Sequence, residues 1–137
     1  MQKFGLIGLL SVILIAGCTE NPGITMKFKD KSETIMLGQL NMRDVNYINK
    51  VYFDYEVSDG QTTCSGKTPV VKLQLTSALN NKVQTTMSVD CEDGRKGNLS
   101  ANMTFNGRTW SGIGVGKLND GTDVRVVVGD MIGNLDW

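Results

Sequence analysis

The stretch DGRKGNLSANMTFNGRTWSGIGVGKLNDGTDVRVVV, residues 93–128, decides the fold class. It carries Asp93-Gly94, Asn106-Gly107 and Asp120-Gly121, spaced 13 and 14 residues apart. Each dipeptide supplies the positive φ that a tight hairpin turn requires. Between the turns, Leu99, Ala101, Met103 and Phe105 alternate with polar residues, and Trp110 to Leu118 and Val124 to Val128 form two further runs of strand length. Side chains on a strand alternate between faces, so this pattern predicts a meander of antiparallel strands.

Working outward, Val51, Phe53, Tyr55 and Val57 alternate with polar residues up to Asp59-Gly60, a fourth turn of the same chemistry. Val71, Leu73 and Leu75 repeat the alternation, and Thr68-Pro69 before them suits a strand start, where a missing donor does little harm. A turn around Asn80-Asn81 would return the chain through Val83, Thr85, Met87 and Val89, pairing 70–76 with 83–89. Thr34 to Leu40 reads as a strand with Ile35 and Leu37 inward. The sum is seven or eight strands and no helix. The expected class is all-β, a small antiparallel barrel or sandwich, because a single sheet that large curls. Residues 34–137 form the β-domain. Residues 18–33, rich in Lys, Asp and Glu, read as a tether in which Ile24, Met26 and Phe28 can make a first edge strand.

At the N-terminus a short basic start, Met1-Gln2-Lys3, precedes Phe4 to Gly17, apolar apart from Ser11. These 14 residues are fewer than the roughly 20 that span a bilayer core. With small Ala16 and Gly17 before a cut site, they match a secretory signal. Ile15-Ala16-Gly17-Cys18 resembles the lipobox of bacterial lipoproteins. The resemblance covers residues 1–18 only. It implies removal of residues 1–17, a diacylglyceryl group on the Cys18 thiol, and usually acylation of the new amino group. Several fatty chains give stable anchoring where one gives marginal binding. Thr19 rather than Asp implies the outer membrane, with the domain facing the periplasm. The competing readings are an ordinary secretory signal with an incidental Cys18, or an uncleaved membrane helix.

Cleavage leaves 13 Lys and Arg against 14 Asp and Glu, a net charge near −1 with no basic stripe. That argues against nucleic acid and against electrostatic membrane binding. With Cys18 acylated, Cys64 and Cys91 remain, and in an oxidising envelope they most simply form a disulfide; two buried thiols are the alternative. The chain has no His, and two cysteines 27 positions apart do not fit a zinc pattern, so no metal or cofactor is expected.

Gly112, Gly114 and Gly116 share one strand face with Trp110. Two readings stand: a shallow binding groove, or glycines relieving crowding where a barrel bends under an aromatic ring. Asp90, Glu92 and Asp93, like Asp54 with Glu56, could act in proton transfer or bind calcium, but the calcium-loop spacing is absent and a solvated face explains them. Without His the common nucleophile–base arrangements fail, and catalysis is not expected. Trp137, after Ile132 and Leu135, reads as a tail docked on the domain or as an exposed recognition element. The expected function is a non-catalytic binding or envelope-accessory module whose partner is an envelope protein. By resemblance to small lipoproteins, the alternatives are an inhibitor of a lysozyme or protease, acting through Thr62–Lys67 or Asp90–Lys96, and a phage- or plasmid-type exclusion lipoprotein. A carrier of small apolar ligands is a further alternative.

Overall fold

The computed structural model describes residues 21–45, 49–73 and 82–129. The secretory signal, Cys18, Leu75, the Asn80-Asn81 turn and the tail bearing Ile132, Leu135 and Trp137 lie outside the described residues. Nine strands follow the apolar alternation: β1 Gly23–Lys29, β2 Ile35–Asp44, β3 Lys50–Ser58, β4 Thr63–Lys67 and β5 Val71–Lys72 come first. β6 Lys82–Cys91, β7 Lys96–Phe105, β8 Trp110–Leu118 and β9 Asp123–Val128 complete the chain. All pairings are antiparallel, and β9 pairs back onto β1, closing an eight-stranded ring β1-β2-β3-β4-β6-β7-β8-β9. Of the two all-β arrangements the sequence allows, the barrel is the one formed.

Closure leaves the eight strands of the ring without a free edge to template association. The interior is filled by the alternating apolar residues, with Phe28, Phe53, Met26, Met36 and Trp110 among the largest buried side chains. Each such side chain contributes about 1.5–3 kcal/mol by leaving water. The turns use their glycines as the dipeptides predict. Gly60 and Gly107, at φ 93°, take the first central position of two-residue loops, closed by Asp59 N–H to Thr62 O and by Asn106 N–H to Thr109 O. Gly94 and Gly121, at φ 95° and 90°, take the left-handed position that ends a longer loop.

Three expectations need correction. Residues 23–29 belong to the wall rather than to a tether, as β1 is hydrogen-bonded between β2 and β9. Ile24, Met26 and Phe28 are buried, and the interleaved lysines lie on the outer side, which gives a wall strand a polar composition. In β2 the inward row is Met36, Gly38 and Leu40, while Ile35 and Leu37 are 47% and 64% exposed. A parity error of one residue moves every side chain to the other face.

The third correction concerns residues 70–76. They do not make a hairpin with β6; β5 stays beside β3, continuing the line of β4. Asp54 faces Lys67, whereas Val51 faces Val71, so four steps on one strand match three on the other. That extra residue is a β-bulge at Thr68-Pro69-Val70. Pro69 has no N–H to give the ladder. The Thr68 hydroxyl stands in, accepting from Phe53 N–H at 3.0 Å, while Thr68 N–H donates to Phe53 O at 2.9 Å.

β6 therefore meets β4, and this seam is the shortest in the ring. Two residue pairs, Cys64 with Cys91 and Ser65 with Asp90, hold it, against nine between β6 and β7. The Cys64–Cys91 disulfide bridges the first of those pairs, joining neighbouring strands. Farther along, side chains replace the ladder: Lys67 N–H donates to Ser88 Oγ at 2.9 Å, and the Tyr55 hydroxyl donates to Ser88 O at 2.8 Å. Burial, with a smaller contribution from Asp90, raises the Tyr55 pKa well above that of free tyrosine, which keeps the donor proton in place.

Cross-linking a loop of this length stabilises the folded state by about 3–4 kcal/mol in the chain-entropy model. Reduction, or the double change Cys64→Ala and Cys91→Ala, should lower the denaturant midpoint accordingly. Hydrogen exchange should accelerate first at Cys64–Lys67 and Ser88–Cys91 while Leu99–Met103 stays protected. An unchanged midpoint would show that the seam does not depend on the bridge.

Candidate functional site

The groove reading of Trp110, Gly112, Gly114 and Gly116 does not hold, because this row faces the barrel interior. Trp110 is 1% exposed, with its ring edge-on to Phe53 at 5.1 Å and tilted against Phe105 at 5.2 Å. Its Nε1 has no hydrogen-bond partner. The crowding reading accounts for two of the glycines. A Cβ on Gly112 would lie 2.2 Å from Asn102 O, and one on Gly116 would lie 2.4 Å from Asn98 O. At Gly114 the nearest atom would be Ala101 Cβ at an ordinary 3.5 Å.

The hollow lies on the opposite side of the same strand. Ser111, Ile113 and Val115 on β8, with Ser100, Asn102 and Thr104 on β7, line an outward depression of about 370 Å³. Sequence reasoning fixed on the conspicuous glycines and missed the residues between them. The available signal was the uncharged character of the outward positions.

The carboxylates are committed to structure. Asp54 accepts from Arg43 Nε at 2.9 Å and from Asn41 Nδ2 at 3.1 Å, on the outer side of β3. Glu92 Oε1 accepts from Thr63 N–H at 3.1 Å, and Asp93 accepts from Arg95 N–H at 3.1 Å. No group of three or more His, Cys, Asp and Glu residues placed to hold a metal ion occurs among the described residues. Thr63–Lys67 is barrel wall rather than loop, with Cys64 fully buried.

One end of the barrel gathers the turns after β1, β3, β6 and β8. Arg95 covers this mouth: its guanidinium sits 4.7 Å from the Phe28 ring centre, 3.3 Å from Asp30 and 3.0 Å from Asp93. A cation over an aromatic face contributes about 0.5–1 kcal/mol at such sites. Desolvation pushes the Asp30 carboxyl up, but hydrogen bonds from Thr34 and Arg95 outweigh it and hold the pKa below the usual carboxylate value. Asp59 and Asp120 are also held low, chiefly by hydrogen bonds from Thr62 and Gln61 at Asp59 and from Thr122 at Asp120.

No family model matches the chain, and no curated protein matches it. Among solved structures it is similar to a redesigned β-barrel, at 18% identity over 82% of this chain and 90% of that one, with a TM-score of 0.44. A likeness at that level carries no argument, and the barrel assignment rests on the strand pairing itself.

The glycine geometry separates two neighbouring substitutions. Gly112→Ala should cost roughly 1–3 kcal/mol, because backbone must move to admit the methyl. Gly114→Ala should be neutral or stabilise by up to about 1 kcal/mol, because the site has room and the unfolded chain loses freedom. Chemical denaturation of the two variants checks this.

The mouth gives a pH dependence. A carboxyl held low in the folded state contributes stability above its unfolded pKa, and that stability is lost as pH falls through the folded value. Stability should therefore decline below about pH 4, the ordinary aspartate value. Asp30→Asn should be less stable than the parent at pH 7, yet lose less on acidification, as followed by melting temperature against pH. Equal acid slopes in the two proteins would show that Asp30 does not contribute.

Proposed function

We propose that the chain is a bacterial envelope lipoprotein, anchored through acylated Cys18 in the outer membrane, whose barrel acts by binding rather than by catalysis. The observation that carries this is the lipobox-like Ile15-Ala16-Gly17-Cys18 at the close of a short apolar signal. A disulfide on the barrel's shortest seam suits the oxidising compartment that such a signal leads to. Binding is favoured over turnover by what the side chains do. The candidate carboxylates are engaged in turns and ion pairs, and the chain supplies no His as base. The interior is occupied by large side chains, which counts against a carrier of apolar ligands.

A second reading has a specific observation in its favour. The turn between β6 and β7 is exposed yet braced by the adjacent disulfide, by Cys91 N–H to Arg95 O at 2.8 Å, and by the Arg95–Asp30 ion pair. A rigid, projecting loop of this kind is what an inhibitor of an envelope hydrolase inserts into its target.

Fractionation and labelling test the anchor. In a Gram-negative host, the native protein should sediment with outer membranes and incorporate labelled palmitate. Cys18→Ala should incorporate none and leave the membrane fraction or accumulate with its signal uncleaved. Native protein recovered without acyl chains in the soluble periplasm would overturn the proposal.

A further inference from the structure

The outer surface of the barrel is not uniform. Lys27, Lys29, Arg43, Asp54, Glu56 and Lys67 project from β1 to β4, so charge is dense there. Across β6, β7 and β8 the outward positions from Gln84 to Ser88, Asn98 to Thr104 and Ser111 to Val115 carry no charge at all. Their ladder partners confirm that they form one continuous wall: Gln84 faces Asn102, which faces Ile113, and Thr86 faces Ser100, which faces Val115. Lys82, Asp90, Lys96 and Lys117 mark its ends. Charge-depleted centres with charged rims are the compositional mark of a binding surface.

We propose that this wall binds an uncharged glycan. Gln84, Thr86, Asn98, Ser100 and Asn102 are exposed, and their side chains make no hydrogen bond within the described residues. Amide and hydroxyl groups both donate and accept, as the hydroxyls of a sugar do. An ionic ligand would lose hydration here with no opposite charge to compensate it. The hollow of about 370 Å³ at the centre has Ile113 and the 44% exposed Val115 in its lining, an apolar contact for the C–H face of a sugar ring or the methyl of an acetamido group. It is small beside the roughly 800 Å² that each partner covers in a stable protein–protein interface. The proposal rests on the binding-module reading and is independent of the lipid.

The test uses the full chain with Cys18→Ala, titrated with the tetrasaccharide of β1,4-linked N-acetylglucosamine and followed by amide chemical shifts. Shifts confined to β6, β7 and β8 are expected. A charge placed in the hollow, Asn102→Lys or Ile113→Asp, should weaken binding at least tenfold while leaving the spectrum of β1 to β4 unchanged. No shifts at millimolar sugar, shifts at the Arg95 mouth instead, or equal binding by both variants would overturn the proposal. So would a concentration-dependent dimer in sedimentation that the same substitutions abolish, since the wall would then bind a second copy. Capture of an envelope protein that survives both substitutions would uphold the binding-module reading while failing the glycan.

Discussion

The close approach of the Ser88 carbonyl to Gly66 is the contact on which the rest of the barrel depends. A Cβ at Gly66 would lie 1.7 Å from that oxygen and 2.9 Å from the Tyr55 ring. No side chain fits, so β4 bends inward until the Tyr55 hydroxyl can reach across it to β6. An aromatic ring laid over a bending glycine restores contacts that the missing side chain forfeits. The same device recurs on β2, where a Cβ at Gly38 would meet the Glu56 carbonyl at 1.8 Å. Curvature at these points lets eight strands close, and the disulfide fixes the seam where the ladder is thinnest.

Closure then determines where function can reside. A ring of eight strands has an interior just wide enough to be filled by side chains, and here Trp110, Phe53 and Phe28 help fill it. Chemistry is pushed outward, to the ends and the outer wall. The mouth at the β6–β7 turn is closed by one arginine shared between two carboxylates and a ring. Its aspartates serve as turn acceptors and counter-charges, which makes the mouth rigid and explains why an acidic cluster there need not be a metal or proton-transfer site.

The fold class was legible because it depends on two short-range signals, alternation and Xaa-Gly turns, that need no tertiary context. Leu99 to Phe105 and Val51 to Val57 face inward as their spacing says. The misreadings share one cause: a local pattern with two solutions that only the closed ring distinguishes. Ile35 and Leu37 are as apolar as Met36 and Leu40, and the choice of parity falls to Gly38, whose need to bend the wall is invisible in composition. Lys27 and Lys29 disguise β1 in the same way. The glycine row at 112–116 was correctly placed on one face, but alternation alone does not say which face is inside. The residues between those glycines line the hollow, and each is too ordinary in isolation to attract attention.

The anchor and the barrel constrain each other geometrically. β1 starts at the end of the barrel opposite the Arg95 mouth, and Gly23 follows Cys18 by 5 residues. At most about 3.6 Å per residue, that link spans no more than roughly 18 Å. An acylated Cys18 therefore holds that end of the barrel close to the bilayer, with the turns after β1, β3, β6 and β8 at the far end. The uncharged wall of β6, β7 and β8 runs along the side between these ends. A ligand on the wall lies beside the barrel, within reach of the membrane-proximal end, whereas a partner gripped by the β6–β7 turn approaches from the far end. The two modes of binding use surfaces that share no side chain. A charge set into the wall leaves the Arg95 mouth and its ion pairs intact, so the anchored protein can express one mode without the other.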